Sequence, residues 1–313
     1  MIIIRRLITG MQMAAALAGC WSCSINDERG ISDSMIRFCA GKTRSAEYDN
    51  HGTPHPCEFG VSASLGEDGP AVSDYMWNLK VSYSGGFWKS EYPIYWMSSR
   101  PIRFFATSPY IDGSTNGSLS LYGPGEAPCI VYEVPFEAAE QTDIMTATDC
   151  RSSGEVTFKF AHIMSRIEFR TGQEFEEGVS VTAIKIHDIL GKATYNISTG
   201  EWMDYSTTSD FGISETGFTM KSRDNAGAVI SKDCFYILPQ TFPKESDATI
   251  EICLSENGIE SSGIIPLAGS EWKGGLSYTY KISYSGGVFS ASVLEGLHAA
   301  GRYVIDDRNE IKN

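Results

Sequence analysis

Thr249-Ile250-Glu251-Ile252-Cys253-Leu254 places an apolar side chain at every second residue. The same alternation returns in Leu79-Lys80-Val81-Ser82-Tyr83, Val156-Thr157-Phe158-Lys159-Phe160, Ile167-Glu168-Phe169-Arg170, Val181-Thr182-Ala183-Ile184-Lys185-Ile186 and Tyr280-Lys281-Ile282-Ser283-Tyr284. A period of two is that of a strand with one dry face and one wet face. Such strands hide the dry face against a second sheet, so the pattern predicts an all-β protein built as a β-sandwich. Gly85-Gly86 ahead of Phe87-Trp88, and Gly286-Gly287 ahead of Val288-Phe289, predict two-residue hairpin turns. Long windows with apolar residues at helical spacing are scarce. About a dozen or more strands fit two sandwiches in tandem better than one barrel.

Polar residues Asp149, Arg151, Ser152, Ser153 and Gly154 suggest where one sandwich gives way to the next. The expected division is an N-terminal sandwich over 35–152, a C-terminal sandwich over 153–293 and a tail over 294–313. Ahead of them, Arg5 and Arg6 precede an apolar run that ends in Leu17-Ala18-Gly19-Cys20. This is the pattern of a lipoprotein leader over 1–19: the arginines hold the amino end inside, and the apolar run is short for a membrane-spanning helix. The Cys20 thiol is then the expected site of lipidation. Residues 20–34, rich in Asn, Asp, Glu, Gly and Ser, read as a tether. The expected location is the outer membrane, surface-exposed and held by lipid.

A formal net charge of -14 argues against a nucleic-acid partner, because phosphate would be repelled. The cysteines beyond the leader junction show no repeated spacing, and Cys39, Cys234 and Cys253 sit where small apolar residues would serve, so they read as buried thiols. His51 and His55 share a loop with Asp49 and Cys57, His162 lies between apolar strand residues, and His187-Asp188 has no recognisable nucleophile. No Gly-x-Ser-x-Gly, phosphate loop or HExxH occurs. The expectation is a non-enzymatic protein with no cofactor and no metal. Trp77, Trp88, Tyr92, Tyr95, Trp96, Trp202 and Trp272 could fill cores or build a sugar-stacking platform. The second possibility defines an alternative function, a surface glycan-binding lipoprotein of a polysaccharide-uptake system.

Several segments in order resemble the fimbrillin-like lipoproteins of the Bacteroidales, the subunits of type V pili. They are Ile36-Arg37-Phe38 followed by Lys42-Thr43-Arg44, then Tyr75-Met76-Trp77-Asn78-Leu79, Ile102-Arg103-Phe104-Phe105-Ala106-Thr107-Ser108-Pro109-Tyr110 and Asp143-Ile144-Met145-Thr146-Ala147. Further on come Phe160-Ala161-His162-Ile163-Met164-Ser165-Arg166-Ile167, Leu238-Pro239-Gln240-Thr241 and Trp272-Lys273-Gly274-Gly275-Leu276-Ser277-Tyr278-Thr279-Tyr280. The resemblance implies two tandem transthyretin-like Greek-key β-sandwiches. It also implies assembly by β-strand exchange with other pilus subunits after cleavage at an arginine in the first loop. Carried onto this chain, Arg44 is the candidate cleavage residue, and Ile36, Phe38 and Ala40 are the inward side chains of a removable first strand. The implied setting is a fimbrium that meets a host or bacterial surface ligand. Leu294 to Asn313, with Gly296, Gly301 and the charged run Asp306-Asp307-Arg308-Asn309-Glu310, is a poor donor strand, which favours a tip, accessory or anchoring subunit.

The mature N-terminal peptide is expected to begin at Cys20 and to carry the mass of a lipid. A mass spectrum showing any other first residue, or an unmodified Cys20, contradicts the leader assignment.

Overall fold

The structure, a computed structural model, describes residues 34–40, 57–65, 75–97, 100–112, 119–121, 127–222 and 226–297. Cys20, Arg44, the loop residues Asp49, His51 and His55, and the tail beyond residue 297 lie outside the described residues. Within them every regular element is a strand except one 3-10 turn, Ala138–Glu140. The all-β expectation holds. Both glycine pairs form the predicted hairpins, joining Leu79–Ser84 to Phe87–Ser90 and Leu276–Ser285 to Val288–Leu297, with positive φ at Gly85, Gly86, Gly286 and Gly287.

Two hydrophobic cores organise the strands. The smaller lies under a six-stranded antiparallel sheet in the order Ala161–His162, Met145–Arg151, Ile102–Ser108, Glu58–Leu65, Leu79–Ser84 and Phe87–Ser90. A two-stranded sheet shares that core: Arg37–Ala40 runs parallel to Glu155–Phe158. The larger core lies between two further sheets. One holds Phe235–Ile237, Ser165–Phe175, Leu276–Ser285 and Val288–Leu297; the other is centred on the long strand Ser180–Asn196.

The cores divide elsewhere than at 152/153. Val156, Phe158 and Phe160 belong to the smaller core, whereas Leu119, Ile130 and Tyr132 belong to the larger one. Alternation gives the period of a strand but not its partner, so the polar turn at 152–154 joins two segments of one core rather than two cores. At the other end, Leu294 to Leu297 pair with Leu276 to Thr279, so the final sheet extends into the region expected as tail. The cysteines also differ in part from expectation: Cys129 is buried and Cys39, Cys234 and Cys253 are half-buried, but Cys57 and Cys150 are exposed.

Between Phe160 in one core and Met164 in the other, the chain is fixed on every side. His162 Nδ1 lies 3.0 Å from a carboxylate oxygen of Asp143, and the Ile163 N–H donates to Ile144 O at 3.0 Å. The Trp202 indole N–H donates to Ile163 O at 3.0 Å, the Gly275 N–H to Met164 O at 2.9 Å, and the Ser165 hydroxyl to Lys273 O at 3.0 Å. A Cβ on Gly274 would sit 2.8 Å from Ile163 O, which explains a glycine there.

Strand Ser180–Asn196 exchanges one neighbour for another along its length. Thr249–Glu256 pairs with it as far as His187, and Cys129–Glu133 takes over at Lys192. In the gap, the Gln240 carboxamide replaces a strand: the Leu190 N–H donates to Oε1 at 2.9 Å, and Nε2 donates to Leu190 O at 3.1 Å. Just before the gap, His187 contacts Asp210 at 3.2 Å and Glu251 at 3.5 Å, and Lys185 lies 3.2 Å from Glu251. Partial burial pushes both carboxyls up, but surrounding donors outweigh it. The Asp188 N–H and His187 hold Asp210 below its ordinary value, and Lys185, His187 and Ser262 do the same for Glu251.

Gln240→Ala leaves Leu190 without those partners and is expected to lower stability by about 2 kcal/mol in denaturant unfolding; an unchanged midpoint contradicts the strand-replacing role. A carboxylate held low in the folded state stabilises above its unfolded pKa, and that contribution is lost as pH falls through the folded value. Thermal midpoints below about pH 4 should therefore fall less steeply in Glu251→Gln than in the parent chain. Identical acid limbs contradict this.

Candidate functional site: the slot of the first strand

Arg37–Ala40 is short, yet it is tied on both sides. Its ladder with Glu155–Phe158 sets Arg37 opposite Glu155, Phe38 opposite Val156, Cys39 opposite Thr157 and Ala40 opposite Phe158. On the other side the chain bridges residues 94–96: the Ile36 N–H donates to Ile94 O at 2.8 Å, the Trp96 N–H donates to Ser34 O at 2.7 Å, and Met35 pairs with Tyr95. The first strand thus lies in a slot with one parallel wall and one antiparallel wall.

Alternation decides which side chains face the floor. Ile36 and Phe38 are buried, at 1% and 5% exposure, and Ala40 packs against the same core while half-buried. The Phe38 ring stands edge-on to Phe104 at 5.9 Å and nearly parallel to Phe158 at 6.2 Å. Phe158 meets Phe59, and Phe59 meets Phe160 and Trp88, so one aromatic network runs under the strand. Arg37 points to solvent, and the Cys39 Sγ lies 3.2 Å from the Thr157 hydroxyl.

Taking this strand away would uncover Ile36 and Phe38, each contributing roughly 1.5–3 kcal/mol by burial, and would open the aromatic network to water. It would also leave Glu155–Phe158 with no ladder partner among the described strands, because its sheet has only these two members. Unpaired N–H and C=O groups beside a bare apolar floor form a template for another strand. The walls Glu155–Phe158 and Ile94 to Trp96 were not evident from the sequence as parts of a site. Matching aromatic content at Phe38, Phe158 and Phe160 was the one available signal.

The other residues singled out from the sequence do not gather into a chemical site. His162 is buried against Asp143, and His187 is bracketed by carboxylates on neighbouring strands. Among the described residues no group of three or more His, Cys, Asp or Glu side chains is arranged to hold a metal ion. Trp272 is fully buried and its indole N–H donates to the Tyr280 hydroxyl at 3.2 Å. Trp88 and Trp96 lie against Phe59 and Phe104, and Trp202 against Tyr195.

Residues 46–296 match the fimbrillin-like family. The chain belongs to that family. The matched region begins beyond the first strand and takes in all of the larger core's strands to within one residue of the last. A fimbrium subunit of Phocaeicola vulgatus, Fim1C, is 22% identical over an alignment of 218 residues that covers 55% of this fimbrillin-like chain and 58% of that protein. The chain therefore spans little more than half the length of that curated relative. Two solved structures share the fold. A candidate cell-adhesion protein of Bacteroides ovatus superposes with a TM-score of 0.55 at 16% identity, covering 85% of this chain and 96% of its own. One from Bacteroides uniformis gives 0.56 at 16% identity, covering 84% and 98%.

Phe38→Ala is expected to destabilise the intact chain by about 3–5 kcal/mol, whereas Arg37→Ala on the outer face stays within about 0.5 kcal/mol. Equal effects in denaturant unfolding would contradict the packing of this strand.

Proposed function

We propose that this fimbrillin-like chain is a structural, non-enzymatic fimbrial subunit at the cell surface, which joins its neighbours by exchanging the first strand. Arg44, a few residues beyond that strand, is the proposed cleavage point. Cys20 is the proposed lipid attachment that holds the uncut chain at the outer membrane and leaves with the first strand on cleavage, and a host or bacterial surface ligand is the proposed adhesive target. The two cores are proposed to be two sandwich domains. The observation that carries this function is the slot itself. Its occupant is a separate short strand whose Ile36 and Phe38 complete the smaller core and whose parallel partner has no other ladder among the described strands. Family membership and the name of the Phocaeicola vulgatus relative support the same role. The glycan-binding alternative is disfavoured because most of the tryptophan rings are engaged in packing. The weak strand character of the residues after Leu297 supports a tip, accessory or anchoring place over a shaft subunit.

Treatment with an arginine-specific protease tests the proposal. The parent chain is expected to be cut at Arg44, to release the first strand and to take up a labelled peptide of residues 34–41, while Arg44→Ala does none of these. Cleavage at Arg44 with the first strand retained and no peptide taken up would contradict strand exchange.

A further inference from the structure

The antiparallel wall of the slot has an outer face of its own. Along residues 92–97, Ile94 is buried and the Trp96 ring turns inward to Phe104, whereas Tyr92, Pro93, Tyr95 and Met97 point outward. Tyr92, Tyr95 and Met97 are 47%, 50% and 60% exposed, so three large apolar side chains within six residues are exposed along the segment that borders the first strand. Scattered exposed apolar residues need no explanation, but a contiguous strip marks a contact surface. The rim is held in place: Tyr95 pairs with Met35 through the main chain, and the Tyr75 hydroxyl donates to Tyr95 O. A rigid, amphipathic surface of this kind costs little entropy to bury. Beneath it, the Trp96 indole N–H is buried and has no hydrogen-bond partner among the described residues. An unpaired buried donor beside the slot is satisfied when an incoming main chain or side chain brings an acceptor.

We infer that the strip Tyr92, Tyr95 and Met97 is a docking surface for the body of the subunit that donates the replacing strand. The occupant is a second fimbrillin-like subunit because the strip is continuous with the slot: a strand entering beside Ile94 to Trp96 carries its own domain up to this rim. The inference rests on strand exchange. It adds that recognition has two parts, the strand in the slot and the body on the rim, so that a subunit binds more tightly than its donor strand alone. Aromatic side chains at the centre of a contact carry much of its binding energy, which places the greatest effect at Tyr95.

The test uses the full chain expressed in fimbriate cells, with a photo-cross-linking side chain in place of Tyr95 or, separately, of Cys39, and adducts identified by mass spectrometry in assembled fibres. Position 39 faces Thr157 of its own chain while the first strand stays in its slot. Loss of that self-adduct on assembly, together with an adduct from position 95 to a fimbrillin-like subunit, supports the docking surface. Loss of the self-adduct with only a glycan adduct, or none, at position 95 overturns the surface and leaves strand exchange standing. Persistence of the self-adduct in assembled fibres overturns exchange and the surface with it. In addition, Tyr92→Ser combined with Met97→Ser, both outside the wall formed by Ile94 to Trp96, should reduce incorporation into fibres by roughly tenfold, with uptake of the 34–41 peptide and the melting temperature unchanged. Unreduced incorporation overturns the surface.

Discussion

The contact of Phe38 with Phe104 and Phe158 is the constraint from which the rest of the N-terminal architecture follows. A six-stranded sheet has one apolar face to cover, and here the cover includes two short strands that are each other's one ladder partner among the described residues. Neither could persist as an isolated two-stranded ribbon in water. They are held because Ile36, Phe38, Val156 and Phe158 supply the missing half of a core. A cover built from a separate short segment is a weak point in a monomer and a ready joint in a polymer. Filling the slot restores both the apolar burial and the main-chain hydrogen bonds, whichever chain supplies the strand.

The larger core stands on different principles. Its two sheets enclose one shared core, and strand Ser180–Asn196 extends along both neighbours with Gln240 bridging the gap between them. The junction between the cores is a set of interlocking hydrogen bonds: His162 with Asp143, Trp202 and Gly275 on the backbone of 163–164, and Ser165 on Lys273.

How much of this was legible in the sequence depends on whether a pattern reports something local. The strand faces, the all-β class and the Gly85-Gly86 and Gly286-Gly287 hairpins are local, since period and turn chemistry act within a few residues. Strand partners are not: Val156-Thr157-Phe158 alternates in the same way whether it packs with the sheet before it or after it, and only the aromatic network under Phe38 decides. The same holds for Cys57 and Cys150, whose neighbours in sequence say nothing of their exposure. Asp143, His162, Ser165, Gln240, Trp272 and Gly275 stood out as segments resembling a family. In the fold Asp143, His162, Ser165 and Gly275 clamp the junction, Gln240 completes the ladder of the long strand, and Trp272 fills the larger core. The rim at Tyr92, Tyr95 and Met97 was visible only as an excess of aromatics, because exposure on one side of a bent segment leaves no periodic trace.

Hydrogen exchange at the amides of Val156 and Phe158 tests the central claim most directly, since Glu155–Phe158 has the first strand as its one described ladder partner and the Thr157 N–H turns the other way, to the Asp149 carboxylate. The amides should be protected in the intact chain, exchange rapidly once the first strand has been cut away and removed, and regain protection in assembled fibres. Protection that survives removal of the first strand, or that fails to return on assembly, would contradict a core completed by an exchangeable strand.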